Sequence, residues 1–590
     1  MKKSRIAAML MAVITGVTMT SVAYAQQETV KIRVTPSEEH KAISPYIYGV
    51  NTGVDTEKVS AGSIRLGGNR LAAYNWENNV SNAGSDWNHH SDMYLVTDVD
   101  EDIKELPGSP ALQLSRDAKN HDIPYTLLTL QMLGYTSSDK MGAVKEEKAA
   151  PSEFWNKVIN RKGSEFTLTP DTKDGYVYMD EYLNYLINTL GDSSSETGIK
   201  AYALDNEPAL WHHTHSRVQS QQITCEELMG KSIDLAKTIK EMDSGAEVFG
   251  PSLFGYSAFD NLAGASDWRS IRIKNLYFWF IDYYLDEMSK AEKEYGTRLL
   301  DVLDVHFYTE QKGACGERSC SHYDNDECIQ ARLDSVRSLY EKGYRENSWI
   351  SDMGGRLFPL LPTIEKSINT YYPGTKLAFT EYNFGGGDHI SGAVVQADML
   401  GIFAKYGVYF ASIWSFDKNE YQLSAINMFT NYDGAGNGFG DTLVKSEYES
   451  KNISVYSSID KDDENKVKVM VINRSIHDET PVNISLSSDK EYIGAEVYSL
   501  YGDNPEIKQL QKVDEITDNA FSYTLPALSV TEFIINTAQA DNLNGQENSA
   551  DGQNDGVNVP LIAGIGAGAL ALITGAVALV CRRRKRKSGN

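Results

Sequence analysis

The chain has 590 residues, of which 41% are apolar and 23% charged, so a core can form and wholesale disorder is excluded. A formal charge of −25 lacks the basic footprint that nucleic-acid binding needs. A mean hydropathy of −0.39 excludes a polytopic membrane protein, and five cysteines in this length do not make a disulfide scaffold. The length points to several compact units, or to one large barrel with additions.

Residues 1–25 read as a signal peptide: Lys2, Lys3 and Arg5 precede the apolar stretch Ile6–Val17, and Ala23-Tyr24-Ala25 gives a small-x-small cleavage pattern. Within residues 26–42, Thr29–Thr35 alternates as a strand, which is expected to join a β-sandwich later in the chain.

Residues 43–427 carry eight short apolar or β-rich runs: Tyr46–Asn51, Ser63–Asn69, Ile123–Gln131, Lys200–Asn206, Ala246–Pro251, Val302–Tyr308, Lys376–Phe384 and Val408–Phe416. Stretches with a 3.6 period lie between several of them, at Asp180–Leu190, Glu226–Met242, Ile271–Met288, Ile329–Tyr340 and Val394–Lys405. Strands alternating with helices predict an α/β fold with a parallel sheet, and eight such units predict a TIM-like (β/α)8 barrel. Polar and aromatic residues collect at the C-terminal ends of five runs, the face where such barrels place their sites: Arg65–Arg70, Asp205–Pro208, His306–Tyr308, Thr380–Asn383 and Ile413–Asp417.

Residues 428–537 change character. Short alternating stretches separated by turn residues predict a C-terminal β-sandwich. Residues 538–559 are rich in Asn, Gln, Asp and Gly and read as a disordered linker. Residues 560–581 hold a charge-free apolar run and predict a C-terminal transmembrane helix, with 582–590 as a basic cytoplasmic tail. From these ends the chain is expected on the extracellular face of a bacterial cell membrane; a monomer is expected separately. The 56 Lys and Arg include nine in the two ends, so the stretch between carries 47 bases against 81 acids.

Glu207 and Glu381 are the expected catalytic pair. Glycoside cleavage commonly uses one carboxylic acid to protonate the leaving oxygen and a second carboxylate at the anomeric carbon. Glutamates at the ends of the fourth and seventh strands can face each other across a barrel mouth. Asn206 is placed for a sugar 2-hydroxyl, Tyr308 for a hydrogen bond to Glu381, and His306 for a substrate contact. Asn69, Trp76, Trp87, Trp211 and Trp414 are expected to line a long cleft, since rings stack on pyranose faces and amides bond hydroxyls.

The stretches Arg65–Asn69, Tyr74–Asn79, Ser81–Asp86, Ala203–Trp211 with Thr214, His215 and Arg217, Asp304–Tyr308, Thr380–Gly386 and His389–Gly392 resemble glycoside hydrolase family 44, over about Thr29 to Ile535. The resemblance implies a TIM-like barrel joined to a β-sandwich. It implies retaining, endo-acting cleavage of β-1,4-glucans such as cellulose derivatives and xyloglucan, sometimes also xylan or mannan, so the expected partner is a β-linked plant polysaccharide. By motif, Glu207 is the acid/base and Glu381 the nucleophile. The family often has Trp between the Arg and Gly-Gly of the first motif, where this chain has Leu66. The rival reading is a non-catalytic glycan-binding protein on a degenerate barrel, which the intact Asn206, Glu207 and Glu381 argue against.

Other signals are weaker. The run Trp211-His212-His213-Thr214-His215 has closely spaced His but no accompanying Cys or carboxylate pattern, and reads as a cleft-rim loop with no metal. Asp324–Glu327 and Asp433–Asn437 are candidates for structural Ca²⁺ but complete no Ca²⁺-loop pattern, so no cofactor is assigned. Cys315, Cys320 and Cys328 share one loop that has room for one disulfide, with Cys225 as an alternative partner.

Overall fold

The computed structural model describes residues 28–314, 316–318, 325–415 and 418–538. After strand β1 (Val30–Thr35), eight parallel strands close into a barrel in chain order: β2 (Gly49–Asn51), β3 (Ser63–Leu66), β4 (Thr126–Leu130), β5 (Ala201–Leu204), β6 (Glu247–Leu253), β7 (Val302–Tyr308), β8 (Lys376–Asn383) and β9 (Phe410–Ile413). Their sequences are nearly unbroken apolar runs, such as TLLTL in β4, because a parallel strand in a barrel is buried on both faces. Tyr125, Leu127, Ala201, Ala203, Phe249, Val302, Ala378 and Phe410 fill one end of the interior, so the barrel is a packed core and not a pore.

The longer helices are α1 (Ser109–Asn120), α2 (Met179–Leu190), α3 (Cys225–Met242), α4 (Phe280–Tyr295), α5 (Leu360–Tyr371), α6 (Ile390–Tyr406) and α7 (Glu420–Thr430). Helix α3 shows why they form where they do. The Thr224 hydroxyl caps it by accepting from the Glu227 N–H, and Leu228, Leu235, Ala236 and Ile239 make a buried stripe at helical spacing. The single helix expected over Ile271–Met288 is two. Leu276 takes a left-handed backbone (φ 60°), which ends one helix at Asn275 before α4 begins at Phe280.

The remaining strands are β10 (Thr442–Tyr448), β11 (Ile453–Asp460), β12 (Asp463–Asn473), β13 (Thr480–Leu486), β14 (Tyr492–Tyr501), β15 (Lys508–Gln509), β16 (Ala520–Leu525) and β17 (Ser529–Thr537). They form one path, β15-β14-β17-β12-β11-β10-β1-β13-β16. The path folds over on itself, since Phe521 and Tyr523 of β16 pack against Phe533 of β17. Strand β1 is an interior member, antiparallel to β10 (Val34 opposite Ser446) and parallel to β13 (Ile32 opposite Ile484). In β12 the period of two is plain. Val467, Val469 and Val471 enter the sandwich core, while Met470 and Ile472 join the barrel's core on the other face. The two parts are locked at α6, where a Cβ on Gly401 would meet the Tyr456 ring at 2.2 Å; only glycine lets helix and ring approach so closely.

One expectation changes, and two weaker signals are narrowed. Among the described residues no helix is long and apolar enough to cross a membrane. The span expected at 560–581 lies outside the described residues, so the fold class is corrected to the barrel and sandwich-like sheet domain that the described residues form, and no membrane association is carried forward. Cys225 is buried and in no disulfide, while Cys315 and Cys320 lie outside the described residues. Asp433 is occupied by its own loop, accepting from the Ala435 N–H at 2.9 Å and from Asn437 Nδ2 at 2.6 Å.

Candidate active site

The C-terminal ends of β3, β5, β7 and β8 meet in the barrel mouth. Strand β8 owes its geometry to an irregularity: Val305 pairs with Phe379, but His306 pairs with Glu381, leaving Thr380 as an extra residue. Such a bulge re-aims side chains. The consecutive Thr380 and Glu381 therefore reach the same neighbours. The Thr380 hydroxyl donates to Asp304 at 2.7 Å and lies 3.1 Å from His306 Nε2, while Glu381 Oε2 lies 3.5 Å from His306 Nδ1.

Glu381 is nearly buried. Arg65 Nη1 donates to its Oε1 at 2.8 Å and the Tyr308 hydroxyl to its Oε2 at 3.1 Å. Burial alone would favour the neutral acid, but the His306 and Arg65 charges, with the hydrogen bonds from Arg65 and Tyr308, hold its pKa below the usual carboxylate value. Burial pushes the Tyr308 phenol well above its ordinary value, and the two glutamates push it further, so it stays a donor.

Glu207 follows β5 on a constrained turn. Asp205 (φ 64°) and Glu207 (φ 45°) both take the left-handed backbone, which costs about 1–3 kcal/mol each for non-glycine residues. The turn is held by Asp205, whose buried carboxylate accepts from the N–H groups of Met132 (2.5 Å), Leu133 (2.9 Å) and Asn206 (2.7 Å). Burial nevertheless raises the Asp205 pKa to about 6. Glu207 itself moves opposite to Glu381. Burial pushes its pKa up, and the Glu381 charge adds to this, against the opposing contact with His306.

His306 sits between the two glutamates, fully buried, with Nδ1 2.8 Å from Glu207 Oε1. The Thr380 hydroxyl spends its proton on Asp304, so His306 donates from Nε2 to Thr380 Oγ1 and its Nδ1 shares a proton with Glu207. Burial disfavours the imidazolium, but the charge of Glu381 and the contact with Glu207 outweigh it and raise the His306 pKa.

One carboxylate oxygen each from Glu207 and Glu381, with a ring nitrogen of His306, lie within 4.8 Å of one another. Among the described residues this is the only His, Cys, Asp and Glu group close enough to share a cation. The fit is poor, because the fully buried Arg65 guanidinium already sets a fixed positive charge against Glu381. The His212 and His213 rings lie tilted against each other with centroids 3.9 Å apart, whereas the buried His215 bonds the Asn69 carbonyl, so the His run does not converge on a metal.

Asn206 is buried beside Glu207, accepting from Arg65 Nη2 at 2.8 Å and donating to Asn69 Oδ1 at 3.1 Å. Trp414 lies partly exposed across Gly68, where a Cβ would stand 2.8 Å from the ring. Trp87 ends the turn Gly84–Trp87 and is 63% exposed. Two expected platforms belong to the core. Trp76 has no exposure and stacks on Tyr182 with centroids 4.9 Å apart and planes 9° from parallel. Trp211 is 1% exposed, and its indole N–H donates to the Asn206 carbonyl at 3.2 Å, so it braces the turn and does not stack on a ligand. Arg65 and Thr380 stand among the polar strand ends but, like Asp304, have no role in the expected site. The signal for Arg65 was a lone charge inside a short apolar strand, which a barrel tolerates only where a partner awaits it.

The sequence model of glycoside hydrolase family 44 matches residues 80–311. Endoglucanase A of Paenibacillus lautus is 43% identical over 523 residues, which cover 87% of this chain and 74% of that protein. A family 44 endoglucanase from Clostridium thermocellum superposes with a TM-score of 0.83 at 47% identity, over 86% of this chain and all of that one. A family 44 xyloglucanase from Paenibacillus polymyxa, solved with xyloglucan, gives a TM-score of 0.84 at 41% identity, over 87% of this chain and all of that one.

Proposed function

The chain belongs to glycoside hydrolase family 44 and is an endo-acting glycoside hydrolase, and from that premise we propose that it cleaves β-1,4-glucan backbones with retention of configuration, Glu381 acting as nucleophile and Glu207 as acid/base. The observation that carries this reading is the glutamate pair, with oxygens within 4.8 Å and pKa values driven apart. Retaining enzymes hold their carboxyl groups about 5–5.5 Å apart, whereas inverting ones leave about 6.5–9.5 Å for a water. A depressed pKa suits a nucleophile that must be ionised, and a raised one suits an acid that must carry a proton.

In this reading Glu381 attacks the anomeric carbon as Glu207 protonates the leaving oxygen, and a glycosyl ester forms on Glu381. Water then enters, Glu207 takes its proton, and the ester is cleaved. His306, 2.8 Å from Glu207, holds that carboxyl group in place through both steps. Asn206 addresses the 2-hydroxyl of the sugar being transferred, and Trp414 supplies a ring for the glycosyl side of the chain.

The names of the relatives favour β-1,4-glucan and xyloglucan as substrates, and the basic and apolar opening of the chain favours action outside the cell. The test is a panel of glucan, xyloglucan, xylan and mannan with product-size and anomer analysis, run on the native enzyme and on Glu381→Gln. Retained anomers, oligomeric early products and an inactive but folded variant are expected. Inverted products or an active variant would overturn the reading.

A further inference from the structure

The His run and the loop before it acquire a use through Asn69. Asn69 opens the short helical turn that follows β3, and it is held at both ends. Its backbone carbonyl accepts from His215 Nε2 at 2.8 Å. His215 is 1% exposed, and burial lowers its pKa to about 4, so it is neutral with its proton on Nε2. The Asn69 side chain donates from Nδ2 to Asp86 Oδ2 at 2.9 Å. That bond leaves Asn69 Oδ1 turned toward Asn206, whose Nδ2 donates to it at 3.1 Å. Asn206 Oδ1 in turn accepts from Arg65 Nη2 at 2.8 Å, and the other arm of the same guanidinium holds Glu381. The carboxylate of Asp86 can only accept and the guanidinium of Arg65 can only donate, so the two amides between them have one consistent orientation.

We infer that Asp86 is a positioning residue of the hydrolysis. Acting through Asn69, it secures the nitrogen end of the Asn206 amide, whose oxygen Arg65 binds, so that the second Nδ2 hydrogen faces the 2-hydroxyl of the sugar under attack. The inference rests on the double-displacement reading above and adds a residue to it. Without Asp86 the Asn69 side chain is held only by the bond from Asn206, so it can rotate away and leave the Asn206 Nδ2 group without the acceptor that aims it. The loop fits this duty. Gly84 has φ 57°, and a Cβ there would meet the Thr214 carbonyl oxygen at 2.2 Å, so the turn Gly84–Trp87 is seated directly on the His run.

The test uses two aryl β-cellobiosides, one complete and one lacking the 2-hydroxyl on the ring that bears the aryl group. In Asp86→Ala, kcat/KM for the complete substrate should fall about tenfold, the scale of one charge-assisted hydrogen bond. The deoxy substrate should lose little, so the ratio between the two substrates should shrink. Asp86→Asn keeps an acceptor oxygen and should restore most of the ratio. A purely structural role would slow both substrates alike, and that result, or an unchanged ratio, would overturn the inference. Glu381→Gln run in parallel separates the two claims. Its full activity would sink the mechanism, whereas its inactivity with an unchanged ratio in Asp86→Ala would sink the relay alone.

Discussion

Arg65 and Glu381 form an ion pair in the barrel mouth, Nη1 to Oε1 at 2.8 Å, with the guanidinium wholly out of solvent. A charge so placed is tolerable only because the same guanidinium is also bonded to Asn51 at 3.0 Å and to Asn206 at 2.8 Å. One side chain thus fixes the proposed nucleophile and the amide beside the proposed acid. Arg65→Met leaves a buried carboxylate without its cation, which costs about 3–5 kcal/mol. The expected results are a lowered Tm, an acid limb of the pH profile moved upward and a kcat reduced at least a hundredfold. Arg65→Lys should recover little activity, because an ammonium cannot bond two acceptors in a planar fork. Native-like turnover in either variant would remove Arg65 from the site.

The pH dependence follows from the two glutamates. Glu381 must be ionised, and its pKa lies below the usual value, so activity appears as pH rises through that depressed pKa. Glu207 must be protonated, and its pKa lies above the usual value, so activity fades as pH rises through the raised pKa. The profile is a bell whose limbs belong to the coupled pair. His306 lowers both glutamates, so His306→Phe should move both limbs of kcat/KM to higher pH. Unmoved limbs would contradict the placement of His306 between them.

Trp76 and Trp414 should part company on mutation. Trp76 lies in the core against Tyr182, so Trp76→Ala should cost about 3–5 kcal/mol of stability, read as a fall in the denaturant midpoint. Trp414 is partly exposed across Gly68, so Trp414→Ala should raise KM for polymer with Tm nearly unchanged. The opposite pattern would reverse the two assignments.

Glu532, between barrel and sandwich, is fully buried, and neither carboxylate oxygen has a hydrogen-bond partner among the described residues. Burial raises its pKa well above the ordinary value, Lys468 opposes that, and Asp433 and Asp460 reinforce it. In the unfolded chain a glutamate ionises near pH ~4.3. The folded protein therefore holds an extra proton above that pH, and stability declines as pH climbs away from it. Glu532→Gln removes the dependence, so its Tm advantage should be larger at pH 7 than at pH 4. Equal Tm differences at the two pH values would refute this.

Much of the barrel was legible because its strands are apolar runs ending in polar residues, a contrast that linear order displays. The glutamate pair was legible for the same reason. The tryptophans were not, because a ring is as apolar in a core as in a cleft. Only the third dimension shows Trp76 stacked on Tyr182 and Trp211 bracing the Asn206 turn. The duties of His215 and Arg65 were hidden differently. Each depends on a partner more than a hundred residues away, Asn69 for one and Glu381 for the other.

The most direct test of the central claim is mechanism-based labelling. A 2-deoxy-2-fluoro β-cellobioside with an activated leaving group slows both steps, but the second more, so a glycosyl-enzyme ester accumulates. After proteolysis, peptide mass mapping should find one glycosyl unit on the peptide containing Glu381 and none on that containing Glu207. A label on another residue, or turnover of this reagent with inversion and no label, would contradict the account.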